Sequence, residues 1–145
     1  MRISDILRIK GERVVTVDPD MNVEGLLGVL ADNRIGAAVV SADGSAVSGI
    51  VSERDIVRAL AARGAAVLSE PVSRIATAEV RTVEPDASLE DVERLMTDGR
   101  FRHTPVVVGG ALRGIVSIGD VVKNRMDELE TERATLTDYI TGERV

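Results

Sequence analysis

An internal duplication constrains the fold of this chain more than any other feature. Val14-Val15-Thr16-Val17-Asp18-Pro19-Asp20 returns as Val80-Arg81-Thr82-Val83-Glu84-Pro85-Asp86, with the prolines 66 positions apart. Gly49-Ile50-Val51-Ser52-Glu53-Arg54-Asp55-Ile56-Val57 returns as Gly114-Ile115-Val116-Ser117-Ile118-Gly119-Asp120-Val121-Val122, with the aspartates 65 positions apart. The one-residue difference falls between the two matches, where a loop absorbs it. A half of about 60 residues buries too little surface to be stable alone. Two such halves, facing each other about a pseudo-two-fold axis, bury a common sheet face.

Each copy predicts the same series of elements, an α/β (α+β) architecture. A short β-branched run (Val14 to Val17; Val80 to Val83) ends at an acidic-Pro-Asp turn, where proline fixes φ. A helix follows with apolar residues at helical spacing: Val23, Leu26, Leu27 and Leu30, then Leu89, Val92, Leu95 and Met96. Asn22 and Ser88 are its expected N-caps, and Ser88 with Asp91 adds a capping-box pattern. Next come a buried strand (Ala37 to Val40; Pro105 to Val108), a turn at Asp43-Gly44 or Gly109-Gly110, and a second strand (Val47 to Val51; Leu112 to Val116). A second helix opens at Ser52 or Ser117. Gly64 is placed to stop the first of these. Pro71 suits the start of a short helix over Val72 to Ile75, with Ser4 to Leu7 as its counterpart before the first copy.

Composition narrows the function classes. The 145 residues are 44% hydrophobic and 29% charged, which excludes wholesale disorder. No apolar run approaches the roughly 20 residues that span a bilayer, and the start lacks the apolar stretch of a secretory signal. A soluble, cytoplasmic protein with no membrane partner is the expectation. A net charge of −6 repels phosphodiester backbones, and Phe101 and Tyr139 are too few aromatics to stack bases, so no nucleic-acid partner is expected. With no cysteine and His103 as the only histidine, thiolate and multi-histidine metal sites are excluded, and nucleophilic catalysis has little to build from. No Walker-type loop is present. The expectation is a protein that is not an enzyme and needs no metal.

The best-repeated element, Gly-Ile-Val-Ser-x-x-Asp, supports two readings. A strand ends, serine opens a helix, and aspartate lies in the first turn beside unpaired N–H groups. Such a helix start attracts anions, and an aspartate there can accept the vicinal hydroxyls of a ribose. Alternatively, Ser-x-x-Asp is a capping box that satisfies the chain's own donors. Recurrence does not separate the two, because a duplicated helix keeps its cap.

The ordered set of Val-x-Thr-Val-x-Pro-Asp, Arg100-Phe101-Arg102-His103-Thr104-Pro105-Val106-Val107 and the two Gly-Ile-Val-Ser-x-x-Asp stretches resembles a tandem pair of cystathionine-β-synthase (CBS) domains, a Bateman module. The resemblance covers about residues 1 to 126. It divides the chain into a first domain at 1–63, a linker at 64–79, a second domain at 80–126 and a helical tail at 127–145. It implies adenosine-containing ligands: AMP, ADP or ATP, with NAD or S-adenosylmethionine as further candidates.

The resemblance also implies two clefts shared between the copies. The first would use Ser52, Arg54 and Asp55, facing Ser73, Thr77 and Ala78 with Arg102, His103 and Thr104. The second would use Ser117 and Asp120, facing Ser4 and Ile6 with Ile35, Gly36 and Ala37. Asp55 and Asp120 would hold ribose hydroxyls. Arg54, Arg102 and His103 turn the first site towards a polyphosphate. The second has Gly119 in place of Arg54 and no nearby cation except Arg34. Plainer readings stand beside these. His103 also suits structural packing, Arg100 and Arg102 suit a solvated face, and the acidic-Pro-Asp turns need no metal.

In the tail, Val122, Met126, Leu129, Leu136 and Ile140 approach a heptad seam interrupted at Arg133. Such a stripe can pair two chains or wrap back over its own sheet; a homodimer is the expectation, as is the family's habit. Two functions follow. One is a regulatory module binding an adenine nucleotide as an energy or metabolite sensor, its output passed to an unidentified client protein. The alternative is a ligand-free dimerising interaction scaffold.

Overall fold

Ala37–Val40 has no polar side chain and lies buried along its whole length, which suits a strand covered on both faces. The computed structural model, which describes residues 1–142, builds the first copy around this strand and the second around a counterpart buried at Thr104, Pro105 and Val106. In chain order the elements are α1 (Ile3–Lys10), β1 (Thr16–Val17), α2 (Val23–Asn33), β2 (Ala37–Val40), β3 (Gly49–Ser52) and α3 (Glu53–Arg63). Short 3₁₀ turns at Gly64–Ser69 and Val72–Arg74 lead to α4 (Leu89–Gly99), β4 (His103–Val108), β5 (Ala111–Ser117) and α5 (Ile118–Thr141). Residues 143–145 of the expected tail lie outside the described residues.

Both hairpins pair antiparallel, in the same relation to their helices. Ala37 lies opposite Ser52, and His103 opposite Ser117. The helix caps follow the sequence closely. Asn22 accepts from Gly25 N at 2.8 Å, and Ser88 from Asp91 N at 3.1 Å. Only half of the box expected at Ser88 and Asp91 forms, and beside it Leu89 N donates to Met1 O.

The first strand differs between copies. In copy one, β1 lies parallel to β2, with Val39 N donating to Val15 O. In copy two the expected strand from Val80 to Val83 shrinks to a bridge between Val83 and Val106. The position equivalent to Val39 is Pro105, which has no N–H to donate, so one rung of the ladder is lost.

The cores are offset from the sequence copies. Val67 and Val72, from the connecting segment, complete the core of Val17, Val23, Leu26, Leu30 and Val51. Ile3, Ile6 and Leu7, from the start of the chain, complete the core of Leu89, Val92, Met96, Val106 and Val116. Each copy is thus closed by the segment that precedes the other. The same hydrogen bonds tie both segments down. Ser4 N donates to Pro85 O as Ser73 N does to Pro19 O, and Ile3 N to Ala87 O as Val72 N does to Met21 O.

The repeated glycine of the motif makes this exchange possible. A Cβ on Gly49 would lie 3.0 Å from the Thr77 carbonyl oxygen, and one on Gly114 would lie 2.7 Å from Leu7 Cδ2. Both glycines are notches for the visiting segment.

Candidate functional site

Ser52 and Asp55 stand where β3 passes into α3. Asp55 N donates to Ser52 Oγ, while Asp55 Oδ2 accepts from Ser52 N at 2.8 Å and Ser52 Oγ at 3.1 Å. The capping box therefore exists, and it uses one oxygen of the carboxylate. Asp55 Oδ1 makes no hydrogen bond among the described residues and remains an acceptor at the helix N-terminus. Structural and ligand roles are compatible here.

Beside β3, Thr77 lies antiparallel to Ile50, exchanging two backbone hydrogen bonds with it at 2.9 and 3.0 Å. This places Thr77, Glu79 and Arg81 along one wall of a cleft of about 840 Å³. The opposite wall comes from the turn between α4 and β4. Arg100 ends α4 in the left-handed region, φ 56°, as Arg34 ends α2 at φ 55°. Phe101 then folds back over Gly99, where a Cβ would fall 2.2 Å from the ring, and Arg102 and His103 follow at the cleft.

The lining contains Ser52, Arg54, Asp55, Thr77, Arg102 and His103 of the first expected set. It also contains Gly36 and Ala37, which were expected in the second set. The hairpin registers explain this: a Cβ at Gly36 would lie 3.8 Å from Glu53 Cδ and 4.0 Å from His103 Cε1. The turn before β2 and the turn before β4 meet at the pseudo-two-fold axis, so one cleft takes residues from both sets. Ser73, Ala78, Ser4, Ile35, Ser117 and Asp120 do not line it. Ile6 and Thr104 are fully buried and present no side chain to a ligand.

The expectation that the second site lacks a nearby cation other than Arg34 is corrected by Lys10. Its ammonium group donates to Asp120 Oδ2 at 2.6 Å and to Ile115 O at 2.9 Å. Burial alone pushes the Asp120 carboxyl up, but hydrogen bonds from Lys10 and Ser117, with the charge of Lys10, hold it below the ordinary value. Burial holds His103 below the ordinary histidine value. The charge of Lys10 pushes the same way, and Asp120 opposes it.

Three further arginines line the cleft: Arg58 and Arg81, to which the sequence reading gave no role, and Arg100, which it set beside Arg102 as suiting a solvated face. Arg58 was findable, since it lies one helical turn after Arg54 and so shares its face. Arg100 and Arg81 needed the turn geometry. With Arg54 and Arg102, five guanidinium groups line the cleft against the carboxylates of Glu53, Asp55 and Glu79. None of the five has a carboxylate within ion-pair distance among the described residues. The same residues contain no cluster suited to hold a metal ion, and no helix long and apolar enough to cross a membrane.

Comparison with known proteins places the fold in a family. The model of the CBS domain matches residues 3–62 and 72–127. The mitochondrial CBS domain-containing protein CBSX3 of Arabidopsis thaliana is 34% identical over 97% of this chain and 72% of its own length. A crystal structure of a CBS-domain containing protein from Agrobacterium tumefaciens superposes with a TM-score of 0.83 at 46% identity, over 86% of this chain and 99% of that one. A CBS domain protein from Pyrobaculum aerophilum, solved in complex with AMP, superposes with a TM-score of 0.73 at 31% identity, over 83% of this chain and 89% of that one. The chain belongs to the CBS domain family, and it contains two such domains in tandem.

Proposed function

We propose that this protein is a non-catalytic regulatory module that binds an adenine nucleotide in the cleft between its two CBS domains. The observation that carries the reading is the charge of that cleft. In a chain of net charge −6, five arginines with no carboxylate within ion-pair distance among the described residues line one cavity that both domains build. Guanidinium groups suit phosphate oxygens, Asp55 Oδ1 is placed to accept a sugar hydroxyl, and the Pyrobaculum aerophilum relative was solved with AMP. The number of arginines favours ATP or ADP over AMP.

A ligand in this position touches both domains, so it favours the arrangement in which both walls meet it. That population shift would be the signal, read from the cytoplasmic nucleotide pool and passed to a client protein.

Asp55→Asn tests the reading, because asparagine keeps an acceptor for the Ser52 N–H and so keeps the cap. Titration calorimetry should show ATP binding more tightly than AMP to the native protein, and a weakening of about 10- to 100-fold in Asp55→Asn, the scale of a charged hydrogen bond. Equal affinity in the variant would remove Asp55 from the site. No binding of AMP or ATP to the native protein would defeat the nucleotide reading.

The second reading, a ligand-free dimerising scaffold, is favoured by α5. Met126, Leu136 and Ile140 on this helix are 63%, 60% and 74% exposed. Sedimentation at micromolar concentration decides whether two chains pair, and a silent nucleotide panel from a dimer would select the scaffold.

A further inference from the structure

α5 runs for 24 residues, but only the part up to Glu128 lies against the rest of the chain. There Arg125 reaches Glu90 and Glu93 of α4. From Leu129 to Gly142 every residue is exposed. Thr131, Thr135, Thr137 and Thr141 are weak helix formers, and an isolated helix of this length is marginal in water. Packing must supply what propensity does not. The exposed part has a face to pack with. Val122, Met126, Leu129, Arg133, Leu136 and Ile140 follow at intervals of four and three, a heptad seam. Its apolar members are between 48% and 74% exposed. Arg133 sits within the seam and has no carboxylate within ion-pair distance among the described residues. Glu130 and Glu132 flank the seam, one on each side.

These charges decide between occupants. A second copy packed antiparallel, with the two seams in register, puts the two-fold axis beside Thr131. Glu130 and Glu132 then each meet the same glutamate of the other copy. A parallel copy instead sets Arg133 against the same arginine inside the seam. Like charges opposed in this way select against a pairing. We propose that the exposed part of α5 is a docking surface for a different protein. The partner is an amphipathic helix with an apolar seam, lysine or arginine along both flanks, and a carboxylate placed to meet Arg133. Basic flanks answer Glu130 and Glu132, and the carboxylate gives the guanidinium in the seam its counter-charge. The inference names the kind of client that a regulatory module needs, and it does not depend on nucleotide binding.

Two synthetic helical peptides and the full chain, without nucleotide, test it. One peptide has a leucine seam with a single central glutamate and lysine flanks; its sibling has glutamate flanks. Fluorescence anisotropy should show the lysine peptide binding at least about 10-fold more tightly than its sibling. Leu136→Ser with Ile140→Ser should weaken it about 10-fold or more, and Glu130→Lys with Glu132→Lys should reverse the preference. Amide exchange should slow in α5 beyond Leu129 when the lysine peptide is present. Equal binding of the two peptides, no binding, an unreversed preference, or binding that survives the serine substitutions overturns the docking surface. So does sedimentation in which the native chain is a dimer and the serine variant a monomer, since a second copy then covers the seam. A failed peptide titration leaves the nucleotide reading untouched, and a failed nucleotide titration leaves the docking surface untouched.

Discussion

Gly49 and Thr77 approach so closely that a Cβ on the glycine would stand 3.0 Å from the Thr77 carbonyl oxygen. Backbone cannot retreat as a flexible side chain can, so Gly49→Ala should destabilise the protein by about 1–3 kcal/mol, the usual scale of overpacking. Gly28 is the control. It sits within α2 with open space where its Cβ would be, and Gly28→Ala should stabilise by about 0.4–1 kcal/mol. Urea melts of the two variants should move in opposite directions.

Arg34 and Arg100 hold matching left-handed positions at the ends of α2 and α4. A side chain there costs about 1 kcal/mol that glycine avoids. Both Arg34→Gly and Arg100→Gly should therefore raise the melting temperature. Only Arg100 lines the cleft, so only Arg100→Gly should also weaken ATP binding. Calorimetry beside the melts separates the two effects.

Acid should weaken the fold through His103. Burial holds its folded pKa below the ordinary value of 6.5, so as pH falls the unfolded chain takes the proton first. The contribution is fully present above the unfolded value and is lost progressively as pH drops towards the folded one. A phosphate in the cleft would raise the His103 pKa, so AMP should bind with proton uptake and more tightly as pH falls from about 7.5 to about 6. His103→Gln should reduce both trends between about pH 7.5 and about 6, read by melts and by calorimetry in buffers of different ionisation enthalpy, against the ionisation of the AMP phosphate itself, whose second pKa is about 6.

Ile6 is only 1% exposed in the core of the second domain. Ile6→Ala should cost about 2–5 kcal/mol, with loss of amide-exchange protection concentrated in α4, β4 and β5. Loss concentrated in β1, β2 and β3 would contradict the exchange of segments between domains.

Much of this fold is legible in the residues. The turns at Asp43-Gly44 and Gly109-Gly110, the alternation around Val51 and Val116, and the serines before α3 and α5 are local signals, and local signals survive folding. The partner of an amphipathic helix is not local. The spacing of Ile3, Ile6 and Leu7 shows a buried face without saying which core receives it, and the length of α1 that brings Lys10 to Asp120 is visible only once that core is known. The site divides the same way. Ser52, Arg54, Asp55, Arg102 and His103 lie in the motifs. Arg81 and Arg100 lie in motifs too, but their place at the cleft depends on a strand cut short at Pro105 and a left-handed turn.

The exchange of closing segments sets an order on synthesis. The first domain can finish once the ribosome has delivered the residues around Val72, but the second needs Ile3, Ile6 and Leu7, made before any strand of the first. Those side chains must wait, exposed and unplaced, until Val116 and Val121 emerge. A segment translated ahead of the first domain is thus seated only after it, and the nascent chain carries a greasy helix in need of shelter while both domains are made.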